Sequence, residues 1–359
     1  MGASRVRRAR SSARVGVPAG VTSTRAADRV EPSGVSQLRL NPLTGRWVTV
    51  ASDRSLRPGD FSTERVPVEA DPHRPCPFCP GNEEATPPAL ETYGPNGQWQ
   101  VRVVPNLYPA FSGDEPMLVS NLGPVFTQAS ASGIHEVLVI TPDHESGWAD
   151  LDDRNAGLVM AAVRDRMEEH ARHANVRYTQ AIVNHGREAG ASLVHPHGQL
   201  LGIPFVPGEL AEERSGFVRF EGSCLLCTVN DAETNARHRV VLADERVIVV
   251  CPYWSGTPYE MLVIPKEHET HLARSAPADI VAVGHALRTV LDRLRRAVGD
   301  VAYNVVFHTA PHHQRDEHFH WHAHVLPRLT STAGFEQGTG VLINIVSPEA
   351  AASSLSATD

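Results

Sequence analysis

The sequence predicts an α+β protein built from two tandem copies of one unit, and three observations carry that expectation. A Cys-x-x-Cys pair occurs twice, as CPFC (Cys76, Cys79) and CLLC (Cys224, Cys227). Each pair is followed, in one order, by an apolar run ending in histidine, a stretch of helical period, a strand-like segment and a histidine-rich motif. The interval from the first histidine to the motif is nearly equal in the two copies, His144 to His195 and His268 to His320, whereas the Cys-to-His intervals differ. The length variation therefore belongs to loops of the first copy.

Taken in order, residues 1–35 are rich in Arg and Ser without hydrophobic period and are expected to be a disordered basic tail. The first domain is assigned to residues 36–210 and holds CPFC, the strand-like HEVLVITPDH (135–144), a helix near 154–172, the strand YTQAIVN (178–184) and SLVHPHGQLLGIP (192–204). The second, 211–350, holds CLLC, MLVIPKEH (261–268), a helix near 277–298, the strand YNVVFH (303–308) and HWHAH (320–324). Residues 351–359 are assigned to a tail. In each domain an antiparallel sheet with a helix across one face follows from this alternation.

At strand period His195, His197 and Gln199 would share one face, because successive side chains alternate sides. Pro196 donates no ladder hydrogen bond, which places this strand at an edge or a bulge. The three polar groups would then line an accessible wall.

The 359 residues are 41% hydrophobic and 21% charged, which is globular usage sufficient for about two domains. The net charge is -8 even though the first 35 residues carry seven Arg, so the remainder is more acidic still and a poor nonspecific partner for nucleic acid. No apolar run approaches the ~20 residues of a membrane span, and the opening segment lacks the apolar core of a secretory signal. A cytoplasmic, reducing location is the resulting expectation. There, paired cysteines suggest metal ligation over disulfides. Cys251, in VIVVCPYW, has no neighbouring partner and reads as a small core residue.

Zinc takes cysteine thiolates and histidine nitrogens tetrahedrally, and a Cys-x-x-Cys turn supplies two ligands. Cys76, Cys79, His144 and His195 make one such set, and Cys224, Cys227, His268 and His320 make its repeat. Neither leaves an open position, so both are read as structural zinc sites.

These motifs resemble the galactose-1-phosphate uridylyltransferase family of the histidine triad superfamily. The resemblance runs from NPLTGRWVTVASDR (41–54) through CPFCPGNE (76–83), VVPNLYPAF (103–111), TPDH and HPHGQ to PYWSGTPYEMLVIPKEH (252–268) and HWHAH. It implies two tandem duplicated histidine-triad-like domains. It also implies that His197 is a nucleophile forming a covalent nucleotidyl intermediate, with Gln199 donating to a phosphoryl oxygen. UMP would pass from a nucleoside-diphosphate sugar, UDP-hexose, to hexose 1-phosphate.

By the same resemblance Arg54, Arg57 and Ser192 are phosphate contacts, Asn106 and Asn184 nucleotide contacts, and Glu336 a sugar-hydroxyl acceptor. Glu213, His308, His322 and His324 match a further metal site of some family members and share no ligand with the second zinc set. A homodimer is implied as well. Two alternatives stay open. Leu107 stands where uridylyltransferases carry an acidic residue, and GFEQGTGVLINIVSPEAA is closer to the related ADP-sugar phosphorylases. The other alternative, a triad-type nucleotide-binding protein without catalysis, is disfavoured by the intact His197.

Overall fold

The computed structural model describes residues 36–52, 75–314 and 316–358. Its strands and helices, in chain order, are β1 (Gln37–Leu40), β2 (Trp47–Val50), β3 (Glu91–Tyr93), β4 (Val101–Pro105), β5 (Val119–Asn121), β6 (Thr127–Ala129), β7 (Ile134–Val139), α1 (Asp153–Arg172), β8 (Tyr178–His185), β9 (His197–Ile203) and α2 (Gly208–Arg219). Then come α3 (Leu225–Ala236), β10 (Val240–Ala243), β11 (Val247–Val250), β12 (Met261–Pro265), α4 (Pro277–Val298), β13 (Tyr303–His308), β14 (His322–Pro327), α5 (Gly334–Thr339), β15 (Leu342–Asn344) and α6 (Pro348–Ser356).

The two expected sheets are one. Ten antiparallel strands run β10-β11-β12-β14-β13-β8-β9-β7-β4-β3, and the halves join where β13 pairs with β8. Read outward from that seam, β8-β9-β7-β4-β3 and β13-β14-β12-β11-β10 repeat one order, which is the sequence repeat in three dimensions. The two long helices lie where the periodicity places them. In α1, Asp152 caps the first turn by accepting from Asn155 N at 2.7 Å, and Ala156, Val159, Met160, Val163 and Met167 form the buried stripe. In α4, Pro277 sits at the first turn and Arg295 and Arg296 at the last, matching the helix dipole. Both helices cover one face of the sheet, packing on Ala181, Val183, Leu200, Val305, Phe307 and Ala323. They meet closely at Gly284, where a Cβ would lie 2.5 Å from Ala156 O.

Four sequence expectations are revised. β9 is an interior strand between β7 and β8, not an edge, because it begins at His197 and leaves Pro196 outside the ladder. Residues 37–50, assigned to the first domain, pair instead with the second half: β2 runs parallel to β15, and Arg39 bonds Glu349 at 3.1 Å. The expected tail at 351–359 begins inside α6, where Ser347 caps Ala350 N and Ala351, Ala352 and Leu355 enter the core. The domain boundary expected at 210 and 211 falls within α2.

A buried polar chain ties the halves together beneath the sheet. Ala273 N–H donates to His271 Nδ1 at 3.1 Å, which puts the ring hydrogen on Nε2, facing His312 Nδ1 at 2.9 Å. His312 Nε2 then donates to Thr179 Oγ1 at 2.8 Å, and that hydroxyl to His170 Nδ1 at 3.1 Å. His170 Nε2 lies 3.3 Å from Glu136, which Arg166 grips with two hydrogen bonds. Each donor hands its neighbour an acceptor only while His271 and His312 are neutral.

Burial holds His271 at about 4, and burial with His271, His170, His313 and Arg274 nearby holds His312 at about 3. The unfolded chain binds these protons near pH ~6.5, so stability is complete above that and falls as pH drops toward the folded values. Urea unfolding of the wild type should lose stability from pH 6.5 to 5, and His312→Gln should reduce that slope by roughly 1.4 kcal/mol per pH unit. An identical slope in the variant would refute this.

Candidate functional site

The sheet register sets which side chains meet. Val139 pairs with His197, Val137 with Gln199 and His135 with Leu201, so these six share one face. Ile182 opposite Gln199 continues the face into β8, and Val306 opposite both Ile182 and His324 carries it across the seam. Both histidine motifs therefore lie on the side away from α1 and α4. Cover distinguishes them. In the second half, α2 and α3 lie over this face with Leu210, Phe217, Leu225 and Leu226 against Ile248, Val250 and Leu262. Phe217 and Phe319 flank the His322 ring, which is fully buried. In the first half no helix among the described residues covers His197, which is itself buried; Gln199 is half-buried, and Phe78 stands beside the His197 ring at 5.4 Å.

His195 and His197 do not line one wall, contrary to the strand-period expectation. His195 precedes β9 and turns inward, fully buried, with Nδ1 3.6 Å from Cys79 Sγ and Nε2 donating to Thr141 O at 2.8 Å. His197 keeps its Nδ1 hydrogen on the carbonyl of His195 at 2.9 Å, which leaves the lone pair on Nε2. Burial lowers its pKa against that hydrogen bond, so the ring is neutral at neutral pH. The second half repeats the device, with His322 Nδ1 donating to His320 O at 2.8 Å.

Three clusters bring four donors each within 4.8 Å of one another: Cys76, Cys79, His144 and His195; Cys224, Cys227, His268 and His320; Glu213, His308, His322 and His324. The Sγ to Nδ1 separations are 3.3 and 3.6 Å at Cys79 in the first. They are 3.6, 3.7 and 3.5 Å in the second. A tetrahedron with sulfur at ~2.3 Å and nitrogen at ~2.0 Å from its centre has such edges of about 3.5 Å. His268 also donates Nε2 to Glu317 O at 3.2 Å, freeing Nδ1 for the thiolates. Hydrogen bonds from Cys227 and His320 hold the Cys224 thiol below its usual range against the opposing effect of burial. In the third cluster His308 bonds Glu213 at 2.9 Å, while buried Nε2 of His322 and of His324 have no hydrogen-bond partner among the described residues and face its oxygens at 3.8 and 3.9 Å. Burial pushes the Glu213 carboxyl up, but the three histidines hold it at about 2. The residues of all three clusters fit a metal ion.

Of the remaining sequence candidates, Asn106 meets the HPHGQ motif, its Nδ2 lying 3.1 Å from His135 Nε2, which contacts Gln199. Asn184 follows Val183, the partner of Gly198, at the end of β8, and accepts from Asn304 at 2.8 Å. Ser192 is exposed in the turn before His195, and Glu336 caps its own helix at Ala333 N, so neither is joined to His197 by a contact described for it. Arg54 and Arg57 lie outside the described residues. Two residues were missed. His135, the first letter of HEVLVITPDH, carried a signal: at strand period it faces the side of Val137 and Val139. Glu260, 3.7 Å from His324, carried none, because the link is made only by folding.

The fold and site define a transferase of two like halves sharing one sheet. Residues 25–207 match the family described as galactose-1-phosphate uridyl transferase, N-terminal domain, and residues 210–337 its C-terminal domain. The chain belongs to the galactose-1-phosphate uridylyltransferase family and is an enzyme. It is 32% identical over 331 residues to ADP-glucose phosphorylase of Arabidopsis thaliana, covering 87% of this chain and 90% of that one. It is 30% identical over 312 residues to galactose-1-phosphate uridylyltransferase of Haemophilus influenzae, covering 84% and 87%. The Arabidopsis thaliana ADP-glucose phosphorylase structure with bound ADP-glucose superposes with a TM-score of 0.77 at 29% identity, covering 90% of this chain and 98% of that one. No helix among the described residues is long and apolar enough to cross a membrane.

Cys251 is buried in the core with no metal-cluster role, and burial pushes its thiol up. Because a bound metal contributes folding free energy directly, Cys76→Ser should lower the unfolding free energy by several kcal/mol, against about 1 kcal/mol for Cys251→Ala. Equal shifts would show that the Cys76 cluster holds no ion.

Proposed function

We propose that this enzyme exchanges UMP between UDP-hexose and hexose 1-phosphate through a nucleotidyl group on His197. The observation that carries the reading is the His197 ring itself: neutral, its Nδ1–H committed to the His195 carbonyl, its Nε2 lone pair on the half of the face that no described helix covers. Nε2 attacks the α-phosphorus, and the bond to the hexose 1-phosphate oxygen breaks with its electron pair. The ring then carries positive charge, which the carbonyl accepting from Nδ1 stabilises. An oxygen of a second hexose 1-phosphate next attacks phosphorus, and the P–N electrons return to Nε2. Sugar phosphate is a good leaving group, so stabilising phosphoryl charge matters more than proton donation.

Gln199 supplies an amide donor for that charge. Asn106, Asn184, Ser192, Arg54 and Arg57 are assigned to nucleotide and phosphate, and Glu336 to the sugar. The two Cys2His2 clusters are assigned to zinc, which would pin the chain entering β9 and β14, and the Glu213 cluster to a further metal ion. A reducing cytoplasm suits these thiols.

The 32% identity to ADP-glucose phosphorylase, together with Leu107, favours a second reading in which AMP is transferred to phosphate. Incubation with base-labelled UDP-glucose and ADP-glucose in parallel, followed by mapping of the adduct, decides. UDP label on His197 is the expected result, and ADP label alone would replace it with the phosphorylase. Label on neither would leave a nucleotide-binding protein without turnover. His197→Gly should lose turnover by at least 10³-fold and regain part of it with added imidazole, whereas His322→Gly should retain adduct formation.

A homodimer is proposed on the β5–β6 hairpin, whose Leu118, Val119, Leu122, Val125 and Phe126 are all exposed. Light scattering should give twice the chain mass, and Val125→Asp with Phe126→Asp should halve it. A monomeric wild type would refute this.

A further inference from the structure

We propose that His135 is a positioning residue that fixes which end of the Gln199 amide faces the phosphoryl group, an inference that rests on the transfer reading above. Gln199 can present either NH2 or C=O to a ligand, and only NH2 stabilises a phosphoryl oxygen. Something must choose, and the hydrogen bonds around His135 make the choice.

Ala110 N–H donates to His135 Nδ1 at 3.0 Å. That nitrogen therefore holds a lone pair, and the neutral ring carries its hydrogen on Nε2. Nε2 lies 2.8 Å from Gln199 Oε1, which accepts that hydrogen. The amide oxygen is thereby committed to β7, and the NH2 group is turned away from it. Asn106 agrees with this assignment. Its Oδ1 accepts from Tyr108 N at 2.9 Å, so its own NH2 faces His135, where a protonated Nε2 offers it no acceptor. The Asn106 amide keeps its hydrogens for a ligand, as Gln199 does. The register that sets His135 diagonally beside Gln199 on one face makes the contact possible.

His135→Phe keeps a flat ring and removes both nitrogens. Formation of the labelled His197 adduct from UDP-glucose in a single turnover should slow by about 10- to 100-fold, part of the ~10²–10³ that losing an oxyanion-type donor costs. Melting temperature and metal content should stay near wild type. His135→Gln, which restores a side-chain N–H, should recover part of the rate. The double variant with Gln199→Ala should be no slower than Gln199→Ala alone within about twofold, because both changes act through one amide. A rate for folded His135→Phe within twofold of wild type, or losses that multiply in the double variant, would overturn the proposal. A separate readout serves if variants fail to fold or the wild type takes no label: the histidine nitrogen spectrum should show His135 as the Nε2–H tautomer. An Nδ1–H tautomer would overturn the proposal, whereas absent label with an Nε2–H tautomer would overturn the transfer reading alone.

Discussion

Everything on the functional face follows from one backbone pairing, that of β8 with β13. Five register pairs, Ala181↔Phe307 through His185↔Tyr303, fuse two half-sheets into one and fix which residues share a side. Once Val183 and Val305 are committed to the side of α1 and α4, Ile182 and Val306 must face the other, and with them Gln199 and His324. A slip of one residue at the seam would send one motif into the core beneath the helices. The buried histidine chain from His271 to Glu136 crosses the same seam and adds a second tie between the halves.

Adjacent histidines are divided between tasks by the point at which the strand begins. His195 precedes β9 and is free to turn toward Cys79, while His197 is the first ladder residue and must follow the pleat. A metal ion holding His195 would therefore act on the carbonyl that His197 uses to fix its tautomer. The same relation joins His320 to His322. A metal held at His195 and the orientation of the His197 ring would thus be coupled through a single peptide unit, and a loosened cluster would be felt first as a misaligned ring.

What the sequence made legible was whatever depends on order along the chain. Periodicity located α1 and α4 almost to the residue, the repeated Cys and His spacing named two clusters, and the family resemblance named a third; the donors of all three converge. The family resemblance, confirmed by both matched domains, supplied the fold and the enzyme class. What stayed hidden depends on contacts across the chain. Nothing in WVTV shows that it will lie beside Leu342–Asn344, and nothing in AASSL shows that it will close the core under α4. His135 was overlooked because a histidine opening an apolar run looks like a solvated strand end; its meaning comes from Ala110 and Gln199, 25 and 64 residues away.

The two motifs are so alike that their different fates need a cause, and the charge facing each ring supplies it. Both rings donate Nδ1–H to the carbonyl two residues back, so each offers a lone pair at Nε2. At His322 that lone pair meets Glu213, an ionised carboxylate on α2, with Phe217 and Phe319 closing the space. A phosphoryl group brought there would meet a buried like charge and no water to screen it, whereas a cation would find a carboxylate and three imidazoles. At His197 the described contacts are a backbone carbonyl and the Phe78 ring, and two residues on in the same strand the Gln199 amide stands where the second half has His324. One half is thereby suited to cations and the other to anions. The residues that make the difference sit mainly on α2, which lays Glu213 and Phe217 against the second motif.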